Sequence, residues 1–231
     1  MTKVSDALRA TVSEWEVPVG AGRTRAIFEG ATEPGRRTLF VFAHGAGGHM
    51  SDAGMLAVSK QLRSLGIDIV RFNFLYREQH IGRPDAMPAL KQCVDAVTIY
   101  AREKVKPVRL LIGGRSMGGR AASMLAADGY ACDGLLLLAY PLHPAGKPDQ
   151  LRDAHLGKIQ APVLCLNGTR DPLCTPELMQ RAVAGLGRIW TMHWLTGADH
   201  SFHVLKSSGR TDSDVMAELG ETVRLWEKTI P

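Results

Sequence analysis

The feature that most limits the fold of this chain is Ser116, which has a glycine two positions before it and another two positions after it. Residues 108–114 are mostly apolar and predict a short buried strand, while residues 119–127 are mostly small and predict a helix. A chain that leaves a strand, turns at once and enters a helix needs a strained backbone at the turn and only hydrogen on the flanking Cα atoms. The pattern therefore predicts a strand–turn–helix unit with Ser116 at its tip.

A serine at such a turn is typical of nucleophilic catalysis, although the same short pattern also occurs in ordinary glycine loops. Serine is a weak nucleophile at neutral pH, so it needs a base that removes its proton. The base in turn needs a third group that fixes its tautomer and stabilises its cation. A catalytic role for Ser116 therefore requires a histidine and an acid elsewhere in the chain.

Both partners are expected at the ends of later strands. Residues 161–168 predict an apolar strand that ends in a glycine turn carrying Asp171, and residues 190–196 predict a strand followed by a loop with His200. The carboxyl ends of parallel strands form the edge where such sheets bind ligands. We therefore expect Ser116 as nucleophile, Asp171 as acid and His200 as base, in the chain order that α/β-hydrolases use.

Neighbouring residues offer alternatives for these roles. Asp199 adjoins His200, but adjacent residues rarely aim a carboxylate at each other's imidazole, so Asp199 is interpreted as a loop or capping residue. His193 lies within a predicted strand, and His203 is interpreted as a supporting or surface residue.

A glycine-rich loop can supply the remaining part of such a site. Residues 37–43 predict a strand that runs into His44-Gly-Ala-Gly-Gly48, whose backbone N–H groups can stabilise a negatively charged oxygen. We expect the N–H groups of Ala46 and Met117 to form this oxyanion hole and His44 to orient the loop through a hydrogen bond. A phosphate-binding loop is disfavoured because the Gly-Lys-Ser/Thr ending and the dinucleotide spacing are both missing.

Taken together, these motifs resemble the α/β-hydrolase superfamily over nearly the whole chain. More narrowly, they resemble a small, poorly characterised branch near the dienelactone hydrolases, which also resembles a subunit of a eukaryotic chromatin complex. The resemblance implies the same roles for Ser116, Asp171, His200, Ala46 and Met117. The motifs that carry it are His44–Gly48, Arg71–Phe74, Gly114–Gly119, Gly168–Asp171 and Asp199–Phe202.

The chain is long enough to bury one substantial core, because it has 231 residues of which 45% are hydrophobic. We expect a single α/β-hydrolase domain over residues 1–231. Two early strands, near 11–17 and 23–29, precede strands that alternate with helices, which predicts a mainly parallel sheet with helices on both faces. Residues 135–140 predict a central strand buried on both faces. Helices are expected from a Ser51-Asp52 cap through Leu65, from 86 to 104 and from 213 to 228.

Many relatives carry a lid before the strand that leads to the acid. Here only residues 141–160 are available, with one short helix expected near 148–156, so we expect no large cap domain and a rather open site. Tyr140, Leu142 and His143 follow the carboxyl end of a strand. They either line the site and bind substrate or anchor the connection.

Several arginines are expected near the same edge of the sheet. Arg77 and Arg83 follow a strand on the catalytic side, Arg115 directly precedes Ser116, and Arg120 lies in the first turn of the next helix. Guanidinium groups bind carboxylates and phosphates bidentately. Arg77 and Arg115 above all are therefore candidates for binding an anionic substrate, with structural salt bridges as the alternative.

Bulk properties exclude several other classes of protein. The net charge is +5, but the basic residues are scattered among acids without a basic run, so no nucleic-acid partner is expected. Residues 1–7 lack the apolar core of a signal peptide, and no apolar run approaches the roughly 20 residues that cross a bilayer. The four cysteines form no Cys-x-x-Cys pair, which favours reduced thiols in a cytoplasmic protein. No metal site, cofactor or membrane partner is expected, and the oligomeric state is left open.

The function expected from the sequence is that of a serine hydrolase. Its substrate would be a small or medium carboxylic ester or thioester, cleaved through an acyl-enzyme intermediate without a cofactor. The same residues would also serve an acyltransferase or a perhydrolase, which differ only in the group that accepts the acyl chain. A further alternative is a non-catalytic interaction module on a hydrolase scaffold.

Overall fold

The computed structural model describes residues 11–230, and the first residues, on which the signal-peptide expectation depends, lie outside this range. The elements follow the expected alternation of strands and helices. The strands are β1 Val12–Val19, β2 Gly22–Glu29, β3 Thr38–Ala43, β4 Ile67–Phe72, β5 Arg109–Arg115, β6 Gly134–Leu138, β7 Val163–Gly168 and β8 Trp190–Leu195. The helices are α1 Ala53–Arg63, α2 Leu75–Glu78, α3 Met87–Val105, α4 Met117–Ala127, α5 Pro176–Val183 and α6 Asp212–Glu227.

Within the described residues the eight strands form one sheet, in the order β1-β2-β4-β3-β5-β6-β7-β8. β1 pairs antiparallel with β2, and β2 pairs antiparallel with β4. The other six strands, β4, β3, β5, β6, β7 and β8, pair in parallel, each with its neighbour in this order. The prediction of a mainly parallel sheet is therefore confirmed.

The central strands are buried on both faces because helices cover both sides of the sheet. Every residue of β3, β6 and β7 is buried, as expected for strands of a covered parallel sheet. One apolar cluster lies between the sheet and α3 and α4, and a second lies between the sheet and α1 and α6. The α/β-hydrolase architecture without a large cap is confirmed. That residues 1–231 form a single domain stays a prediction.

The expected helix at 148–156 is wrong. Within the connection from β6 to β7, the helical residues are a single 3-10 turn, Leu156–Lys158. The backbone upstream bonds across the connection instead, since the Arg152 N–H donates to the Leu142 carbonyl at 2.7 Å and the Tyr140 hydroxyl donates to the Arg152 carbonyl at 2.9 Å. In an α-helix the N–H and the carbonyl of Arg152 would instead bond the backbone of residues four positions before and after it. The bonds across the connection therefore replace the helical ones.

Two smaller expectations also need correction. Asp52 is the N-cap residue of α1, but its carboxylate accepts the His49 N–H at 2.8 Å and makes no capping bond to the helix. The helix ends at Arg63 and not at Leu65. The short helix α2 was not expected. No helix among the described residues is long and apolar enough to cross a membrane.

A buried ion cluster ties the edge of the sheet to the glycine-rich loop. Arg71 of β4 is 3% exposed and bonds Glu29 of β2 through its Nε at 2.8 Å. Arg63 and Ser59 of α1 bond the same carboxylate at 3.0 and 2.7 Å. The Arg71 guanidinium also donates to the carbonyl of Met50, which follows the loop. Burial alone would raise the pKa of Glu29, but these donors outweigh it and hold the pKa below its usual value.

We predict that Glu29→Ala lowers the free energy of unfolding by about 3 to 5 kcal/mol, because it leaves the buried Arg71 charge without its partner. Equilibrium unfolding in urea measures this loss. The matched control is Glu16→Ala, which removes one member of the exposed Arg23–Glu16 pair and should cost about 0 to 1 kcal/mol. Equal losses in the two variants would contradict a structural role for the cluster.

Candidate active site

The candidate site lies at the carboxyl edge of the parallel strands. The glycine-rich loop follows β3, Ser116 follows β5, Asp171 follows β7 and His200 follows β8. Because these strands pair in parallel, the loops that leave their carboxyl ends meet on one side of the sheet.

Ser116 adopts a strained backbone between β5 and α4, with φ 52° and ψ −116°. A non-glycine residue with positive φ is uncommon and is held only where the surrounding structure imposes it. Here the Ser116 N–H donates to the Leu138 carbonyl of β6 at 2.8 Å. The serine is thereby fixed at the tip of the predicted strand–turn–helix unit.

The flanking glycines are required because backbone atoms come too close for a side chain. A Cβ built on Gly114 would lie 2.5 Å from the Ala43 carbonyl oxygen, and a Cβ built on Gly118 would lie at the same distance from that atom. No Cβ can occupy such a position without moving the backbone of β3. The two glycines therefore allow the start of α4 to press against the end of β3.

The structure brings Ser116, His200 and Asp171 into one hydrogen-bonded chain. His200 Nε2 lies 3.0 Å from Ser116 Oγ, and His200 Nδ1 lies 2.8 Å from Asp171 Oδ2. His200 is partly exposed, whereas the Asp171 side chain is fully buried. These distances are in the range that proton transfer between a nucleophile, a base and an orienting acid requires.

Asn167 supports the buried carboxylate and was missed at the sequence level. Its Nδ2 donates to Asp171 Oδ2 at 3.2 Å and to the Tyr140 carbonyl at 3.0 Å, while its Oδ1 accepts the Tyr140 N–H at 3.0 Å. The Leu173 N–H donates to Asp171 Oδ1 at 2.8 Å. The available signal was an asparagine inside the otherwise apolar strand β7, since a buried amide must find hydrogen-bond partners.

The alternative acid and histidines lie in other environments. Asp199 Oδ1 accepts the N–H groups of Ser201 at 2.7 Å and His203 at 3.0 Å, so it closes its own loop. His203 Nδ1 lies 2.9 Å from an Asp212 carboxylate oxygen at the surface. His193 Nε2 lies 2.7 Å from Glu218 on α6.

His44 orients the glycine-rich loop as a neutral side chain. The Phe74 N–H donates to His44 Nε2 at 3.2 Å, so the ring proton is on Nδ1, which donates to the Gly45 carbonyl at 2.8 Å. The ring packs edge-on against the aromatic rings of Phe74 and Tyr76. Burial lowers the pKa of His44 to about 4, which keeps the ring neutral at physiological pH.

Ser116 and His200 open into a cleft of about 250 Å³. Ala46 lines this cleft, and Met117 is the first residue of α4, so its N–H is one of the amides at the helix start that have no partner within the helix. A cavity of about 430 Å³ lies elsewhere, before the amino ends of β6 and β7, and contains none of the residues of the cleft. The lining of the cleft is Gly45, Ala46, Gly48, Asp52, Met55, Arg115, Ser116, His200 and Ser201.

The four candidate substrate contacts differ in their surroundings. Arg115 lines the cleft and donates to the His200 carbonyl at 3.2 Å, and Arg77 lies half-buried on α2 beyond the end of β4. Tyr140 is 0% exposed and bonds the connection that follows it, so its contacts favour the anchoring alternative. His143 is buried, and its Nδ1 lies 2.9 Å from the Pro144 carbonyl. Substrate binding by Arg77, Arg115, Tyr140 and His143 stays a prediction.

A second serine–histidine pair was not expected. Ser123 Oγ of α4 lies 2.8 Å from His155 Nε2 in the connection between β6 and β7. Ser123 is fully buried and sits within the helix, where its hydroxyl also lies 2.9 Å from the Arg120 carbonyl. Ser123 lies neither at a strained turn nor in the cleft that Ser116 lines. Because it bonds a histidine of the connection, the pair holds that connection against α4.

The family model described as alpha/beta hydrolase domain matches residues 36–228, and this chain belongs to that family. Its fold is similar to that of a serine hydrolase without a lid from Xanthomonas campestris, with 22% identity, a TM-score of 0.75 and coverage of 93% of this chain and 94% of that one. A dienelactone hydrolase from Anabaena variabilis has 18% identity, a TM-score of 0.71 and coverage of 92% and 96%. Family and fold together support a hydrolase-type function.

Curated relatives from Mycobacterium tuberculosis carry a provisional name as phosphoribosyl transferases. They are 29% identical over 170 residues, which is 72% of this chain, but this chain spans only 37% of their length.

Among residues 11–230, no group of three or more His, Cys, Asp or Glu side chains is arranged to hold a metal ion. The resemblance to a chromatin-complex subunit stays a prediction.

We predict that His44 makes the free energy of unfolding fall by up to about 3 kcal/mol between pH 6.5 and 4. The pKa of His44 is lowered on folding, so the unfolded chain takes up a proton in this range that the folded protein refuses, and stability falls as the pH falls. Urea unfolding at several pH values measures the slope. His44→Gln should remove this part of the slope, whereas His80→Gln at an exposed position should keep it. Parallel curves for wild type and His44→Gln would refute the prediction.

Proposed function

We propose that this protein is a serine hydrolase that cleaves small or medium carboxylic esters or thioesters through an acyl-enzyme intermediate. The observation that carries the proposal is the continuous hydrogen-bonded chain from Ser116 through His200 to Asp171, with distances of 3.0 and 2.8 Å. Ser116 and His200 line a cleft at the edge of the sheet, where a substrate can enter.

In the first half of the reaction, His200 Nε2 takes the proton of Ser116 as Oγ attacks the carbonyl carbon of the ester. The carbon becomes tetrahedral and its oxygen negatively charged. Collapse of this intermediate breaks the bond to the alcohol or thiol, which leaves with the proton held by His200. In the second half, His200 takes a proton from water, the resulting hydroxide attacks the acyl carbon, and Ser116 Oγ leaves with that proton.

Asp171 serves this cycle by orienting His200 and by stabilising its cation. The bond from Nδ1–H to Asp171 leaves Nε2 without a proton, which is the tautomer that can accept the proton of Ser116. The Leu173 and Asn167 donors hold the carboxylate in the direction of Nδ1. Because the carboxylate is fully buried, water does not compete for that bond.

The N–H groups of Ala46 and Met117 are assigned to the oxyanion. Met117 begins α4 directly after the nucleophile, and the positive end of the helix dipole lies at the same place. Gly45 packs close to the nucleophile, since a Cβ on it would lie 3.4 Å from the Cβ of Ser116. The loop that carries Ala46 is therefore beside the carbon that Ser116 attacks.

A fluorophosphonate should label the wild type once, at Ser116, because this reagent modifies only serines that a base activates. Ser116→Ala should abolish labelling and retain the fold. Ser123→Ala is the matched control, because this buried serine also contacts a histidine yet should leave labelling of Ser116 intact. Intact-mass spectrometry reads out the modification. An unmodified wild type would support a non-catalytic module, and a modified Ser116→Ala would move the nucleophile elsewhere.

Asp171→Asn should lower kcat on a 4-nitrophenyl ester by about 10³- to 10⁴-fold, because the amide favours the wrong tautomer of His200. Asp199→Asn is the matched control, since Asp199 bonds only its own loop among the described contacts and should change kcat by less than about fivefold. Steady-state kinetics with circular dichroism of each variant separates catalysis from folding. The opposite ranking would assign the acid to Asp199.

A further inference from the structure

Two arginines lie where the connection from β6 to β7 covers α4, and the charge of one acts on the other. Arg120 lies in the first turn of α4, and Arg152 lies in the connection. The backbone of Arg152 is fixed at both ends, because its N–H donates to the Leu142 carbonyl at 2.7 Å and its carbonyl accepts the Tyr140 hydroxyl at 2.9 Å. The position of Arg152 is thus set by the fold and not by a flexible surface loop.

Arg120 and Arg152 are both half-buried, and the charge of Arg120 acts on Arg152. Burial and the charge of Arg120 both lower the pKa of Arg152. The same two causes, burial and the charge of Arg120, lower the pKa of His155 to about 4, so His155 adds no charge at neutral pH. Two like charges therefore repel each other where water screens them only in part.

No carboxylate neutralises this pair. Within residues 11–230, no Asp or Glu oxygen lies within 4 Å of the guanidinium of Arg120 or Arg152. Moreover, the Nε of Arg120 is buried and has no hydrogen-bond partner. Buried donors are almost always satisfied, and an exception calls for a missing partner. The half-buried Arg63 and the buried Arg71 are, by contrast, both paired with Glu29.

The pair is close to the nucleophile. The Arg120 N–H donates to the Ser116 carbonyl at 3.0 Å, which places the two residues one helical turn apart on the same face. One turn advances about 5.4 Å along the axis. Neither arginine lines the cleft itself, so a substrate group must pass beyond Ser116 by about one helical turn to reach Arg120.

Arg115 is a weaker candidate for the same task, although it lines the cleft itself. Its guanidinium donates to the His200 carbonyl, and the charges of Asp52, Asp199 and Asp171 act on it. Asp52 also lines the cleft, where it would repel an anion. These three carboxylates favour the charged form of Arg115, although burial is the larger effect and lowers its pKa, whereas the charge that acts most on Arg152 is the like charge of Arg120.

We propose that Arg120 and Arg152 form an anion subsite that binds a carboxylate or phosphate group carried by the ester that Ser116 attacks. Guanidinium forks match the oxygens of both anions bidentately, and an anion between them would relieve their repulsion. The assignment of the bound anion to the substrate rests on the proposed hydrolase function. The subsite itself does not, since it can be tested by binding alone.

The binding test uses the thermal unfolding of the protein with inorganic phosphate or with glutarate, at constant ionic strength. We expect a saturable rise in Tm for wild type that is lost in Arg120→Gln and in Arg152→Gln. Arg36→Gln is the matched control at an exposed position and should keep the rise. A rise with phosphate alone identifies a phosphate subsite, and a rise with glutarate alone identifies a carboxylate subsite. No rise with either, or the same rise in all variants, overturns the proposal.

The kinetic test compares the 4-nitrophenyl monoester of glutarate with its neutral methyl-capped analogue, together with a matching pair that carries a phosphate. We expect wild type to favour one charged member by at least about tenfold in kcat/KM, which is the effect of one bidentate charged contact. This ratio should fall by about tenfold in Arg152→Gln and stay unchanged in Arg36→Gln. Equal turnover of charged and neutral esters by wild type overturns the subsite for the substrate.

The two tests separate the two proposals. If no ester is cleaved and no fluorophosphonate labels Ser116, the hydrolase function fails, while the Tm results still decide whether the subsite exists. If Arg152→Gln does not fold, Arg152→Lys takes its place, since it keeps the charge but loses the bidentate fork and should lower both the Tm rise and the charge ratio. Wild-type values of both in Arg152→Lys would count against the subsite.

Discussion

The rest of the site depends on the close approach of the Ala43 carbonyl to Gly114 and Gly118. A methyl group on either glycine would lie 2.5 Å from this oxygen, so a side chain at either position would separate α4 from β3. With both glycines present, the chain turns through Ser116 at a φ of 52° and begins the helix at once. That backbone aims the hydroxyl at His200 and places the start of α4 beside the glycine-rich loop.

Some of the buried arginines are paired with an acid, and others are not. Near the edge of the sheet, Arg71 is paired with Glu29, and this pairing holds the end of β4 to the loop after β3. Beside α4, Arg120 and Arg152 stay without an acid although both are partly removed from water. Desolvation of a charge costs energy in both places, and the arrangement without an acid is the one that the proposed anion subsite requires.

Local patterns predicted most of the fold. The strands and the long helices appear where apolar periodicity places them, and Asp171 and His200 follow strands as expected. The helix expected at 148–156 does not form, because Tyr140 and Leu142 draw the backbone of Arg152 into bonds across the connection. Tyr140 and Leu142 precede the expected helix in the chain, so the residues within 148–156 carry no sign of the bonds that compete with helix formation.

By itself, the sequence determined the turn at Ser116, the glycines that allow it, and the strands whose ends carry Asp171 and His200, because each of these depends on residues adjacent in the chain. Only the tertiary structure decided that Asn167 supports the acid, that His44 is neutral, and that the charge of Arg120 acts on Arg152. These properties depend on burial and on the distance between charges from different loops. Both quantities arise only when the strands pair and the helices exclude water.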